Sequence, residues 1–403
     1  MFGVKLSIRR EINDSSLKKR LILTEVFYNL CIASGNFRTV LLQTLHMSAG
    51  QIGIVSSLCS VSNIVAPPVW GAVSDRIQSV SKCFILCLAL SAVTMGLIPV
   101  SALLPAQASI VILLLLVLSS LFTGPANNMM ELWLVQVNNS GRGISYGSIR
   151  KWASFAFAAM GAVYYFILTK TEVYTAYILY FVFSVPAILI AFSIVSVPLK
   201  ADVSSRPRTR FRDMPFGAIF SLPVLIYTVF SSFTGIAESA KNTYFVFILN
   251  DYGLGSAALG VFMAVSALCE MPTLIFSRLL IDRFGLVKPM VFCILSRILE
   301  SALYALGHTI VFIVIAQIIK GLAAGLLMAC QIQYIYKISP KGLEATTQTV
   351  VASVCSVVSI AAMSFSGFLL DTIGARSFYL LAAGIDGFAV AFLLLGASRA
   401  RQA

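Results

Sequence analysis

The sequence predicts an all-α, polytopic membrane protein: twelve transmembrane helices forming two six-helix bundles of like orientation. Three observations carry this. Of 403 residues, 59% are hydrophobic and 11% charged, with a mean hydropathy of +0.92, a composition that excludes both a soluble globular protein and a disordered chain. Apolar runs long enough to cross a hydrocarbon core recur between short polar breaks along the whole length. The basic residues fall in alternate breaks, as they do in loops that stay on one side of a bilayer.

The runs place helices at about 21–44, 50–72, 83–103, 108–134, 145–168, 174–197, 216–248, 255–281, 289–306, 309–337, 345–370 and 377–398. One long polar break, KADVSSRPRTRFRD from Lys200 to Asp213, has no apolar periodicity and falls at mid-chain. The chain therefore divides into a first bundle (1–199), a cytoplasmic linker (200–214) and a second bundle (215–403). The polar, basic first twenty residues lead into an apolar run too long for a signal-peptide core, so that run is read as the first helix.

Lys5, Arg9, Arg10, Lys18, Lys19 and Arg20, then Arg76 and Lys82, Arg142, the linker, Arg283 and Lys288, Lys337 and Lys341, and Arg399 and Arg401 all fall on one side. The opposite loops carry little beyond Lys170 and Arg376. Both termini are thus expected in the cytoplasm, in the cell membrane. The net charge of +13 forms no basic patch interleaved with aromatics, which argues against nucleic acid as a partner. The eight cysteines are scattered through apolar runs with no CxxC pair; buried small hydrophobes are expected, not disulfides or a metal site.

Gly53, Asp75 and Arg76 recur as Gly260, Asp282 and Arg283, each 207 residues later; SAGQIGIV aligns with GSAALGVF and SDRIQSVSK with IDRFGLVK. The offset contains an even number of spans, so the two copies have the same orientation.

Charges inside these helices are costly and mark functional positions. Glu131 ends the fourth helix and Arg150 opens the fifth, so two antiparallel helices bring opposite charges to similar depth, with Asn127 one turn from Glu131 on the same face. Glu25, Asn29 and Asn36 share a stripe of the first helix and either line a cavity or, for Glu25, reach a solvated end. On the seventh helix Glu238 and Lys241, three apart, either neutralise each other or serve a ligand. Glu270 is a lone carboxylate near mid-membrane, with Arg297, Glu300 and Lys320 on the next two helices as partners. Lys320 opens KGLAAGLLMACQIQY, whose small residues permit close helix approach. Asp386 on the last helix is another intramembrane acid and so a candidate functional position, with helix packing or a local hydrogen bond as the plainer alternative.

Tyr146 to Ser154, YGSIRKWAS, resembles the YGxxRxWGS signature of the lactose-permease-like branch of the major facilitator superfamily, with Ala153 where the signature has glycine. Gly71 to Lys82 resembles that superfamily's cytoplasmic loop motif, G-x-x-x-D-R-x-x-x-x-K or close to it. The resemblance implies alternating access around a central site. Substrate would be bound by Asn127, Glu131, Arg150, Asn29 and Lys320, protons handled by Glu270, Arg297 and Glu300, and conformations latched by Asp75, Arg76, Asp282 and Arg283. The branch's proton-handling histidine and glutamate on helix ten correspond to Lys320 and Ala323 here, and the only histidines, His46 and His308, lie in external loops, so any relay must use carboxylates. The expectation is a secondary active transporter taking up a small polar solute such as a sugar, nucleoside or aromatic acid with protons. It would be a monomer in the bilayer, with no cofactor and no metal. The alternatives are a proton-coupled exporter of drugs or metabolites, or a non-transporting membrane sensor. No HExxH or GxSxG motif supports an enzyme.

Arg208→Cys tests the topology directly: the thiol is expected to be shielded from an impermeant reagent in intact cells and labelled in inverted vesicles. Labelling from outside would reverse the assigned orientation.

Overall fold

The structure is a computed structural model that describes residues 13–103, 108–138, 140, 142–144, 146–194, 221–340 and 343–399. These residues are almost wholly helical, as expected where backbone N–H and C=O groups have no water to bond. The first half contains α1 (Asp14–Ile32), a short 3-10 turn (Ala33–Phe37), α2 (Arg38–Thr44), α3 (Ala49–Ile77), α4 (Val80–Ser101), α5 (Ala108–Asn138), α6 (Tyr146–Leu168) and α7 (Tyr174–Ile194). The second contains α8 (Leu222–Thr243), α9 (Phe245–Asp251), a 3-10 turn (Ser256–Ala258), α10 (Leu259–Phe284), α11 (Val287–Leu306), α12 (Ile310–Ile338) and α13 (Glu344–Arg399). The expected linker at 200–214 lies outside the described residues.

Ten stretches among the described residues are long and apolar enough to span a membrane. The twelve expected spans are recovered once two details are read. The charged first helix continues through a 3-10 turn into α2, and α13 is two helices joined at Gly374, whose φ of 77° breaks the run between the expected eleventh and twelfth spans. Prolines inside α3, α4, α5, α7 and α10 are tolerated because neighbouring helices shield the freed carbonyls.

The internal repeat is visible in the backbone. α2 and α9, the starts of α4 and α11, and the ends of α3 and α10 are all 207 residues apart. The left-handed residues follow the same offset: His46 (φ 57°) matches Gly253 (φ 72°), and Gln78 (φ 53°) matches Gly285 (φ 75°). A non-glycine side chain in this region is uncommon, so the shared conformation reflects a turn geometry both copies require.

Two compact units emerge. The first comprises described residues within Met1–Gly35, Val61–Phe157 and Tyr174–Arg206; the second comprises those within Asn36–Ser60, Ala158–Val173 and Pro207–Ala403. In the first, α4 packs on α5 and α7, and α1 on α7, around Leu21, Tyr28, Phe84, Leu88, Trp133 and Ile149. In the second, α11 packs on α12 and α13, α10 on α12, and α8 on α13, around Phe230, Met290, Ile294, Leu326 and Cys330. The second unit also seats the start of α3: Asp371 of α13 accepts hydrogen bonds from the backbone N–H groups of Ala49 and Gly50 at 2.9 and 2.8 Å. A carboxylate there meets unsatisfied donors and the positive end of the helix dipole. All eight cysteines are free thiols, buried or half-buried.

The small residues after Lys320 form the anticipated seam. A Cβ on Gly321 would lie 2.2 Å from the Ser266 carbonyl oxygen, and one on Gly325 2.6 Å from that of Glu270, so α10 and α12 touch backbone to backbone. Gly321→Val should therefore separate the helices and cost about 1–3 kcal/mol, read as a clear fall in Tm of the detergent-purified protein. Gly384→Ala, at a position with open space around it, should leave Tm close to the parent value.

Candidate functional site

In the first unit, α5 supplies Glu131 and α6 supplies Tyr146 and Arg150. The helices meet across a tight polar turn, where the Tyr146 backbone N–H donates to Asn138 Oδ1 at 3.0 Å and so orders the first turn of α6. Arg150 Nε lies 3.0 Å from Glu131 Oε1, and the Tyr146 hydroxyl donates to Glu131 Oε2. Arg150 Nη1 also reaches Glu25 Oε1 of α1 at 3.8 Å. The three groups differ in access: Arg150 and Glu131 side chains are 38% and 32% exposed, whereas that of Glu25 is 2% exposed. Glu25 is therefore no solvated end. Asn127 is exposed one turn before Glu131 on α5. Asn29, named with the substrate ligands, is buried and donates its amide to the Glu25 carbonyl at 2.8 Å, which ties it to its own helix. Ala153 is fully buried beneath the motif.

The second unit holds a denser network. Lys241 Nζ of α8 lies 3.2 Å from Glu300 Oε2 of α11 and 3.3 Å from Asp386 Oδ2 of α13. Arg297 of α11 lies 2.9 Å from Glu238 Oε2 and 3.6 Å from Asp386 Oδ1, and donates to the Thr234 carbonyl at 3.0 Å. Lys241, Glu300 and Asp386 are sealed from solvent. The open margin of the network is formed by Glu238 and Asn242: Asn242 donates to Glu238 Oε1 at 2.7 Å and accepts from Lys320 Nζ, which also stands 5.8 Å from the centre of the Phe245 ring. With Lys320 included, three carboxylates stand among three cations.

This arrangement bears on three sequence-based readings. Lys241 bonds across to Glu300 of α11 and Asp386 of α13, while Glu238 on its own helix is taken by Arg297 at 2.9 Å. Asp386 is not a packing residue but binds two cations. Arg297 bonds Glu238 and Asp386, and Lys320 bonds Asn242. Glu270 is half-buried on α10, with its backbone against Gly325. Among the loop residues expected to latch, Asp75 and Arg76 are exposed at the end of α3. Asp282 lies 3.8 Å from Arg278 one turn earlier, and Arg283 stacks over the Phe284 ring at 5.4 Å.

The chain belongs to the MFS_1 like family, whose model matches residues 26–381. It is a multi-pass membrane protein and a secondary transporter of the major facilitator type. It is 25% identical over 361 residues to the uncharacterised transporter YwbF of Bacillus subtilis, covering 88% of this chain and 87% of that one. It is 24% identical over 367 residues to the maltose permease of Geobacillus stearothermophilus, covering 89% and 88%. A shorter match, 28% over 176 residues, covers 43% of this chain and 44% of the quinolone resistance protein NorA of Staphylococcus aureus. Among solved structures, the nucleoside transporter NupG superposes with a TM-score of 0.80 at 18% identity, covering 94% of this chain and 98% of that one. The fold is therefore shared; at this identity the likeness extends no further.

Removing one member of a buried ion set strands the others, typically at about 3–5 kcal/mol. Lys241→Met should accordingly lower Tm sharply in detergent, and Lys241→Met combined with Glu300→Gln should recover part of the loss, because the second change removes the carboxylate left behind. Equal loss in the single and double variants would show that Glu300 does not depend on Lys241.

Proposed function

We propose that this protein is a proton-coupled symporter of a neutral, hydroxyl-rich solute, a sugar or a nucleoside, working by alternating access with both termini in the cytoplasm. The observation that carries the reading is the partly exposed Glu131, Arg150 and Tyr146 group set within membrane-spanning helices. An exposed ion pair at that depth is too costly to face lipid and belongs on a water-filled path. Its chemistry suits hydroxyl groups: a carboxylate accepts, a guanidinium donates in a planar fork, and Asn127 does both on the same face.

Charge balance selects against an acid as substrate. Arg150 already faces two carboxylates, and the cations of the second unit are matched in number by carboxylates. An anionic solute would have to displace one of these carboxylates, whereas a neutral polyol adds hydrogen bonds and no charge. A maltose permease among the relatives agrees with this choice. The partial match to NorA favours a second reading, export of amphipathic compounds.

Proteoliposomes separate the two. Under an imposed proton gradient, labelled maltose, uridine or a related solute should accumulate and leak out on addition of a protonophore; accumulation of a lipophilic cation dye against its gradient, with none of the polyols moving, would establish export instead. Glu131→Gln, Arg150→Gln and the double variant should each lose solute binding by at least about tenfold, the loss of one charged hydrogen bond. Arg150→Lys should fail as well, since it keeps the charge without the fork. Recovery of binding in the double variant would make the pair a structural bridge and move recognition to Glu238, Asn242 and Lys320.

A further inference from the structure

Within the first unit a single arginine stands among two carboxylates, and they are not equally served. Glu131 has a close contact to Arg150 Nε at 3.0 Å and a hydrogen bond from the Tyr146 hydroxyl. Glu25 is 2% exposed, reaches the arginine only at 3.8 Å through Oε1, and its Oε2 has no hydrogen-bond partner among the described residues. Tyr28, three residues further along the same face of α1, is also buried with an unpartnered hydroxyl. One guanidinium neutralises one carboxylate. A second buried anion with an empty oxygen is several kcal/mol too costly in an apolar bundle, and binding a proton removes that cost.

We propose that Glu25 is the proton-binding group of the transport cycle, an assignment that rests on the proton-coupled reading above and displaces Glu270 and Glu300 from that role. The step is a simple protonation: a proton from water on the loading side forms an O–H bond with the Glu25 carboxylate, and the same bond breaks to release it to water on the other side. No other reactant is needed. The groups facing Glu25 fix its consequence. From α6 comes Arg150, from α5 comes Glu131, which the Tyr146 hydroxyl bonds in turn, and on α1 itself lie Tyr28 and Asn29. Beyond Tyr28 the next titratable group is Tyr180 of α7, whose hydroxyl is hydrogen-bonded to Ser91 at 2.8 Å.

With Glu25 protonated, Arg150 belongs wholly to Glu131, and the pair is set in the geometry seen here to receive solute hydroxyls. With Glu25 ionised, the two carboxylates compete for the guanidinium and Arg150 is drawn toward α1, away from the solute-binding face. Proton occupancy at a sealed position thereby sets the state of an accessible one, which is the coupling a symporter requires. Glu300, equally buried, also has one oxygen without a hydrogen-bond partner, but its other oxygen lies 3.2 Å from Lys241, against 3.8 Å between Glu25 and Arg150, and its network holds as many cations as carboxylates.

Infrared difference spectra of the purified protein between acidic and alkaline buffer read the proton without needing the solute. Exposed carboxylates titrate at about pH 4; the carboxylic acid C=O band that still titrates above that range in the parent should vanish in Glu25→Gln and persist in Glu270→Gln and Glu300→Gln. Glu25→Asp should retain a titrating band at shifted frequency, which separates loss of the carboxyl from loss of fold. A band unchanged in Glu25→Gln, or abolished by Glu300→Gln or Glu270→Gln, overturns the assignment. In proteoliposomes, Glu25→Gln should reduce proton-driven accumulation of the solute found active above to the level without a gradient. If the band behaves as stated and no solute is accumulated even by the parent, the proton site stands and the symport reading fails; if the parent accumulates solute and Glu25→Gln does so equally, the symport reading stands and the proton site fails.

Discussion

An arginine within reach of two carboxylates inside an apolar bundle can offset the charge of only one, and much of what is specific to this chain follows from that imbalance. Arg150 is drawn to Glu131 by geometry and by the supporting hydroxyl of Tyr146, which leaves Glu25 short of a partner. In water the difference would be trivial. In a low-dielectric interior it decides which carboxylate carries charge, and it ties an accessible pair to a sealed one through a single side chain. The second unit solves the same problem the other way: matching cations to carboxylates leaves a nearly closed network whose open margin, among the described residues, is Glu238 and Asn242, with Lys320 bonded behind them.

What the sequence revealed and what it hid have a common cause. Span positions, the repeat, the small-residue seam at Gly321 and Gly325, and the meeting of Glu131 with Arg150 depend on local pattern, or on two helices joined by a short turn. Such features are legible because few geometries are open to them. The partners of Lys241 and Asp386 come from helices separated by up to 145 residues, and the choice between them turns on helix rotation, which hydropathy does not fix in a segment apolar on every side. Glu25 was visible as a charge near a helix end; that it is buried depended on α1 beginning at Asp14, well before the apolar run suggested.

The two copies within the chain conserve shape more than chemistry. Element boundaries and even left-handed residues keep their offset, yet Lys241 corresponds to Ser34 in the first copy, where the hydroxyl merely bonds the Cys31 carbonyl. Bilayer thickness and turn geometry constrain both copies alike, so the backbone is held. Charges are free to differ wherever each unit balances its own set.

The seating of Ala49 and Gly50 on Asp371 has a consequence for how the polypeptide can be divided. Residues 36–60 and 158–173 belong by packing to the unit built mainly from the second half. Cutting the gene at mid-chain would therefore yield a C-terminal fragment with an uncapped carboxylate at Asp371 and a vacant berth beside Tyr244, whose hydroxyl reaches the Ala49 and Met363 carbonyls. The two copies have ceased to be interchangeable parts: the unit built mainly from the second half is finished by segments of the first, and its assembly depends on both being made together.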